Sequence, residues 1–166
     1  MRLRPEAIKS FRGLTKAIKR NMDPRRFELA TLAAAKALPS GYCMLSHNSF
    51  LRRMGAYDEQ LTAIARDYHN AGLSSGDVAL MAFAEKITRH ADKVVAEDVV
   101  KLRSHGFTDE EILDTALTAA LRNFYNKLLD AVGAEPDAAY AQLDEGLRKE
   151  LVLTRPSEKT APTGSW

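Results

Sequence analysis

The stretch Ser40-Gly41-Tyr42-Cys43-Met44-Leu45-Ser46-His47 holds the chain's only cysteine, with a histidine four residues after it. On a helix that spacing sets thiol and imidazole on one face, within reach of each other. Together they are the ingredients of an activated sulfur nucleophile. Pro39 ends the preceding apolar run and Ser40 is a good N-cap, which makes Cys43 the third helical residue. There the unpaired backbone N–H groups and the positive end of the helix dipole favour thiolate over thiol, and an imidazolium alongside would act in the same direction. Thiols so placed fall from about 8.5 into a range of roughly 3.5–7.5. The row from Cys43 through His47, Phe50, Leu51 and Met54 is apolar, so the pair is expected to face inward. The alternatives are a cysteine that is a small buried hydrophobe and a histidine that is hydrogen-bonded in the core.

A carboxylate belongs beside this pair. Asp23-Pro24 is an N-cap followed by proline at the first helical position, opening a helix through Phe27, Leu29, Ala30, Leu32 and the alanines to Leu38. That helix is apolar almost all round, which predicts burial on most sides. Glu28 shares a row with Leu32 and Ala35 and is therefore withdrawn from solvent. An unpartnered buried carboxylate is costly, and a histidine is one of the few groups that can share a proton with it. A plain helix-start role, or a pairing with an arginine, is the competing account of Glu28.

In register, these residues run Glu28, eleven residues, Ser40-x-x-Cys43, three residues, His47. The pattern resembles the alkylhydroperoxidase AhpD-like proteins of the carboxymuconolactone decarboxylase family, whose redox members carry Cys-x-x-Cys at this place. Leu73-Ser74, Ala82–Thr88, Leu102–Asp109 and Asn123-Phe124-Tyr125-Asn126 extend the resemblance to the peroxidase-related branch, over about residues 5–140. It implies a peroxide-reducing centre: Cys43 attacks the peroxide, His47 is the base, and Glu28 tunes His47. It further implies that the first motif cysteine forms a disulfide and receives electrons from a dithiol partner. Ser40 stands in that place, and serine cannot do this. A Cys43 sulfenic acid is then resolved only by an external thiol or by Cys43 of another subunit.

The elements that must position these groups are helical. An amphipathic helix with Ile8, Phe11, Leu14 and Ile18 on one stripe and a solvated basic face comes first. After the cysteine helix ends near Gly55, Asp58 caps a helix carrying Leu61, Ile64 and Tyr68, stopped at Gly72. Ser74 with Asp77 forms a capping box ahead of Val78, Met81 and Ile87, and a short helix covers about 96–104, ending at Gly106. Thr108 with Glu111 makes the best capping box in the chain, opening a long helix closed by Gly133. A last helix from about 137 to 151 precedes a small, polar tail. Neither a strand pattern nor a repeat is present. The expectation is an all-α, AhpD-like domain of about seven helices over residues 1–153, with a flexible tail over 154–166 and a homo-oligomeric assembly.

Composition narrows the function. At 166 residues and 45% hydrophobic, the chain fits one domain. Residues 1–26 are net +7 and the remainder net −5, so the overall charge is only +2 and does not indicate nucleic acid or a membrane surface. One cysteine excludes an internal disulfide and suits a reducing compartment, and the N-terminal residues lack a signal-peptide apolar run. A cytoplasmic protein is expected. Cys43 and His47 have zinc-ligand spacing, but the ligand set is incomplete, so no metal or cofactor is expected. His69, His90 and His105 are scattered, and Asn123 and Asn126 share a face of the long helix, where the alternatives are an approach to the site and, the more ordinary account, plain polar positions.

Three functions compete. The first is a peroxide reductase acting on a peroxide with an external thiol or dithiol, through Cys43, His47 and Glu28. The second is an oligomeric helical scaffold or redox sensor that at most records oxidation at Cys43. The third is a decarboxylase of the wider family, for which the sequence offers no identifiable substrate-binding set.

Overall fold

The structure, a computed structural model, describes residues 3–38 and 41–134, with side chains left out at 41 and 42. Ser40, the helix expected over 137–151 and the tail over 154–166 lie outside the described residues. Helix α2 (Pro24–Ala37) carries the other elements. The Asp23 carboxylate accepts the Arg26 N–H at 2.9 Å and Pro24 occupies the first turn, as the sequence predicts. Leu29, Ala30, Leu32, Ala33, Ala34 and Ala35 are each no more than 1% exposed. A helix buried on every side needs several partners, and α2 packs against α3 (Gly41–Arg53), α5 (Ser75–His90) and α7 (Asp109–Ala131). Its alanines let those neighbours approach closely.

The remaining helices are α1 (Pro5–Asn21), which lies along α7, α4 (Asp58–Asp67) and α6 (Ala96–Ser104). With two single turns of 3₁₀ helix, Tyr68–Asn70 and Ala91–Lys93, they complete an all-α fold of seven helices among the described residues. None of these helices is long and apolar enough to cross a membrane. Gly55 and Gly106, at φ +96° and +84°, turn the chain out of α3 and α6 in the left-handed region that side chains disfavour.

Local signals come out as expected at α7, where Thr108 and Glu111 exchange both capping bonds. At α5 only half of the box forms. Ser74 Oγ accepts the Asp77 N–H, but the Asp77 carboxylate turns to Arg25 at 2.7 Å and so joins α5 to α2. Arg26 does the same for α7, reaching Glu111 at 2.9 Å. Asp58 is the first residue of α4, whose N-cap is Tyr57. The apolar row on α3 also runs out of the core. Leu51 is buried, whereas Phe50 is 38% and Met54 47% exposed. An outward apolar surplus is present on α7 at Leu113, Leu117 and Phe124.

Replacing Ala30 by leucine adds volume to a fully packed seam and is expected to cost about 1–3 kcal/mol, measured by urea denaturation. Thr108→Ala removes only a cap and is expected to cost about 1 kcal/mol by the same measurement.

Candidate functional site

Four helices bring the site together. Glu28 enters from α2, Cys43 and His47 from successive turns of α3, Arg122 and Asn126 from successive turns of α7, and Lys19 from α1. Glu28 is 0% exposed and both of its oxygens are used. Oε1 accepts from Lys19 Nζ at 3.0 Å, and Oε2 is hydrogen-bonded to His47 Nδ1. Burial pushes the Glu28 carboxyl up, but the His47 hydrogen bond and the Lys19 ammonium outweigh it and hold the group below the ordinary carboxylate range. Glu28 is therefore an anion at neutral pH.

His47 has a defined tautomer. Its Nε2 lies 3.1 Å from an Arg122 guanidinium nitrogen, which can only donate, so Nε2 carries the lone pair and Nδ1 the proton given to Glu28. Burial pulls the imidazole below its ordinary value; Glu28 opposes the fall, and the Arg122 and Lys19 charges add to it. His47 is thus a neutral base at pH 7. The imidazolium expected beside the thiol is replaced by the guanidinium of Arg122.

Arg122 is only 5% exposed. Burial lowers its affinity for the proton, while the Cys43 sulfur, Glu28 and Tyr125 raise it again, and an arginine so surrounded remains charged. Cys43, also buried, hydrogen-bonds through Sγ to Asn126 Oδ1. With the amide oxygen facing sulfur, the S–H donates. The Asn126 Nδ2, itself buried and unpartnered, would face a thiolate if the amide rotated by half a turn. Asn123, by contrast, bonds Thr88 and the Ala119 carbonyl and takes no part.

Cys43, His47 and Arg122 line a cavity of about 450 Å³. Its walls are aromatic at Phe11, Phe27 and Phe50, and its open side is formed by Arg12 and Lys16 of α1. That side of α1 was expected to be a solvated face; instead Lys19, on the same row, reaches in to Glu28. Among the described residues no three His, Cys, Asp or Glu side chains gather closely enough to hold a metal ion.

Residues 5–86 match the model of the carboxymuconolactone decarboxylase family. The chain belongs to this family. Among solved structures, it is similar to the alkylhydroperoxidase AhpD core of a peroxidase-related protein from Ralstonia eutropha JMP134, at TM-score 0.77 and 25% identity over 82% of this chain and 74% of that one. A peroxidase-related protein from Silicibacter sp. TM1040 aligns at TM-score 0.77 and 23% identity, over 82% of this chain and 73% of that one. The debrominase Bmp8, solved with 2,3,4-tribromopyrrole in a cysteine-to-alanine variant, shares the fold at TM-score 0.72 and 19% identity, over 89% and 77%. No curated protein matches.

Of the residues singled out in the sequence, the structure brings Glu28, Cys43 and His47 together: Glu28 holds His47, and Cys43 is one turn before His47 on the same cavity wall. The sequence reading does not single out Arg122 or Lys19, and it leaves Asn126 between an approach to the site and a plain polar position. The signal for two of them is present on α7, where Thr115, Thr118, Arg122, Asn126 and Leu129 recur at helical spacing and are all buried. An arginine and an asparagine inside a buried row mark a polar site rather than a solvated face.

Glu28 and His47 are both shifted downward, so both states of the pair that stabilise the fold are fully present above about pH 6.5 and are lost as pH falls. His47 acts first, because the unfolded imidazole takes up its proton below about 6.5 while the folded one resists, at up to about 1.4 kcal/mol per pH unit. The unfolding free energy from urea titrations is expected to fall between pH 7.5 and 5.5 by about 1 kcal/mol less in His47→Gln than in the wild type.

Proposed function

We propose that this protein is a thiol-dependent peroxide reductase working with a single cysteine. The observation that supports it most is the neutral, Glu28-anchored His47 on the same cavity wall as a buried cysteine that has Arg122 beside it. His47 Nε2 takes the Cys43 proton, and the Arg122 donors move to the thiolate, which is stabilised by a fixed positive charge in a water-poor site. The thiolate attacks one peroxide oxygen, the O–O bond breaks, and the alkoxide leaves with the proton from His47, giving Cys43 sulfenic acid and an alcohol. One external thiol then displaces water to form a mixed disulfide, and a second releases Cys43 as the thiol and leaves with the first as a disulfide. Glu28 keeps the proton on Nδ1 so that Nε2 stays basic.

Ser40 limits this cycle. Without a resolving thiol in the same chain, every turnover waits for an encounter with an external one, so the rate follows thiol concentration. The competing reading, a sensor that is oxidised once, rests on the same serine.

Peroxide consumption and sulfenic-acid trapping on Cys43 test the proposal. Cys43→Ala is expected to abolish both, and His47→Gln to slow sulfenic-acid formation by about 10²-fold or more. Ser40→Cys is expected to speed turnover with dithiols. Failure to trap an adduct on Cys43 refutes the reductase; one oxidation per chain with no turnover in excess thiol makes the protein a sensor.

A further inference from the structure

The cavity above Cys43 has a charge pattern that peroxide reduction does not require. Hydrogen peroxide and simple alkyl hydroperoxides are neutral, yet Arg12, Lys16, Lys19 and Arg122 all line this space and, among the described residues, no carboxylate does. Glu28, behind the wall, answers Lys19 directly. Among the described residues neither Arg12 nor Lys16 has an ion-pair partner, and the buried Arg122 keeps its Nε–H without an acceptor. Positions 12, 16 and 19 are spaced so that the three side chains of α1 stand on one row, running from the open side of the cavity inward. Cations without a counter-charge, as Arg12 and Lys16 are among the described residues, attract anions to a partly enclosed space, and an orphaned buried donor is the mark of a missing acceptor.

The walls define the rest of the molecule. Phe11, Phe27 and Phe50 supply apolar surface to the same cavity, and Phe11 is held flat against Tyr125 at 4.6 Å between ring centres. A volume of about 450 Å³ suits a ligand of roughly one ring with substituents.

We infer that the cavity binds a small organic carboxylate with an aromatic or compact apolar body, its charge held by Arg12 and Lys16 at the open side and drawn toward Arg122. This deepens the thiol proposal, since such a molecule meets Cys43; its binding, however, needs no sulfur chemistry. Two partners of the cycle can bring the carboxylate, the peroxide or the external thiol.

Calorimetry of the reduced full chain with phenylacetate and its neutral analogue phenylacetamide tests binding alone. Phenylacetate is expected to bind about tenfold or more tightly, and an Arg12→Gln, Lys16→Gln double variant to erase the preference. Equal binding of the two probes, or a preference that survives the double variant, overturns the inference even if Cys43 proves reactive. Conversely, charge-selective binding with an inert Cys43 upholds it and refutes only the thiol proposal. For a reactive Cys43, cumene hydroperoxide against its ring-carboxylated analogue, and 2-mercaptoethanol against 3-mercaptopropionate, identify the source. A carboxylate advantage in the first pair assigns the anion to the peroxide and in the second to the thiol; no advantage in either overturns the substrate assignment.

Discussion

A carboxylate with no solvent contact must be answered by protons or positive charge from within the protein, and Glu28 imposes that demand on three other helices. Lys19 comes from α1 and His47 from α3, each to one oxygen, while Arg122 of α7 meets the far nitrogen of His47. Leaving such a charge unpaired in the interior costs several kcal/mol, so these contacts are conditions on how the helices pack rather than additions to it. The consequence for chemistry is a fixed order along one line: anion, proton, imidazole, lone pair, guanidinium, sulfur.

The same line explains why His47 is neutral. Each cation near it, Arg122 and Lys19, makes a second positive charge less favourable, and burial adds to that. Stabilisation of a thiolate then falls to a group that cannot lose its proton. Arg122 keeps its charge over the whole useful pH range, so its contribution to the field at the sulfur persists whatever the histidine's state. The Asn126 amide completes the surroundings with a group that can accept from a thiol or donate to a thiolate by turning about one bond.

How much of this could be seen in the chain depends on range. Asp23 with Pro24, Thr108 with Glu111, and the glycines at 55 and 106 are decided within a few residues, and the helices start and stop where those signals stand. Cys43 and His47 were legible because one turn of a helix separates them, and Glu28 because a carboxylate on an apolar helix needs a partner and its register with the pair resembles a family pattern. Asp77 misled because a long-range partner, Arg25, outcompeted its local one. Lys19 and Arg122 lay out of reach for another reason: a charged residue on an amphipathic helix has the same pattern whether it meets water or a buried anion. Only packing distinguishes the two, and for Lys19 it shows the ammonium over the Phe27 ring, 4.4 Å from nitrogen to ring centre, and hydrogen-bonded to a buried carboxylate.

Helix α1 has two attachments that matter here: the stacking of Phe11 on Tyr125, and the Lys19 ammonium on Glu28. Because it also forms the open side of the cavity, fraying of α1 would change access and electrostatics in a single event. As the segment peels back, the route to the sulfur widens, Glu28 loses its ammonium partner, and the imidazole left as its remaining partner becomes more willing to hold a proton. Breathing at the N-terminal end of the chain is thereby tied to the basicity of a ring three helices into the fold.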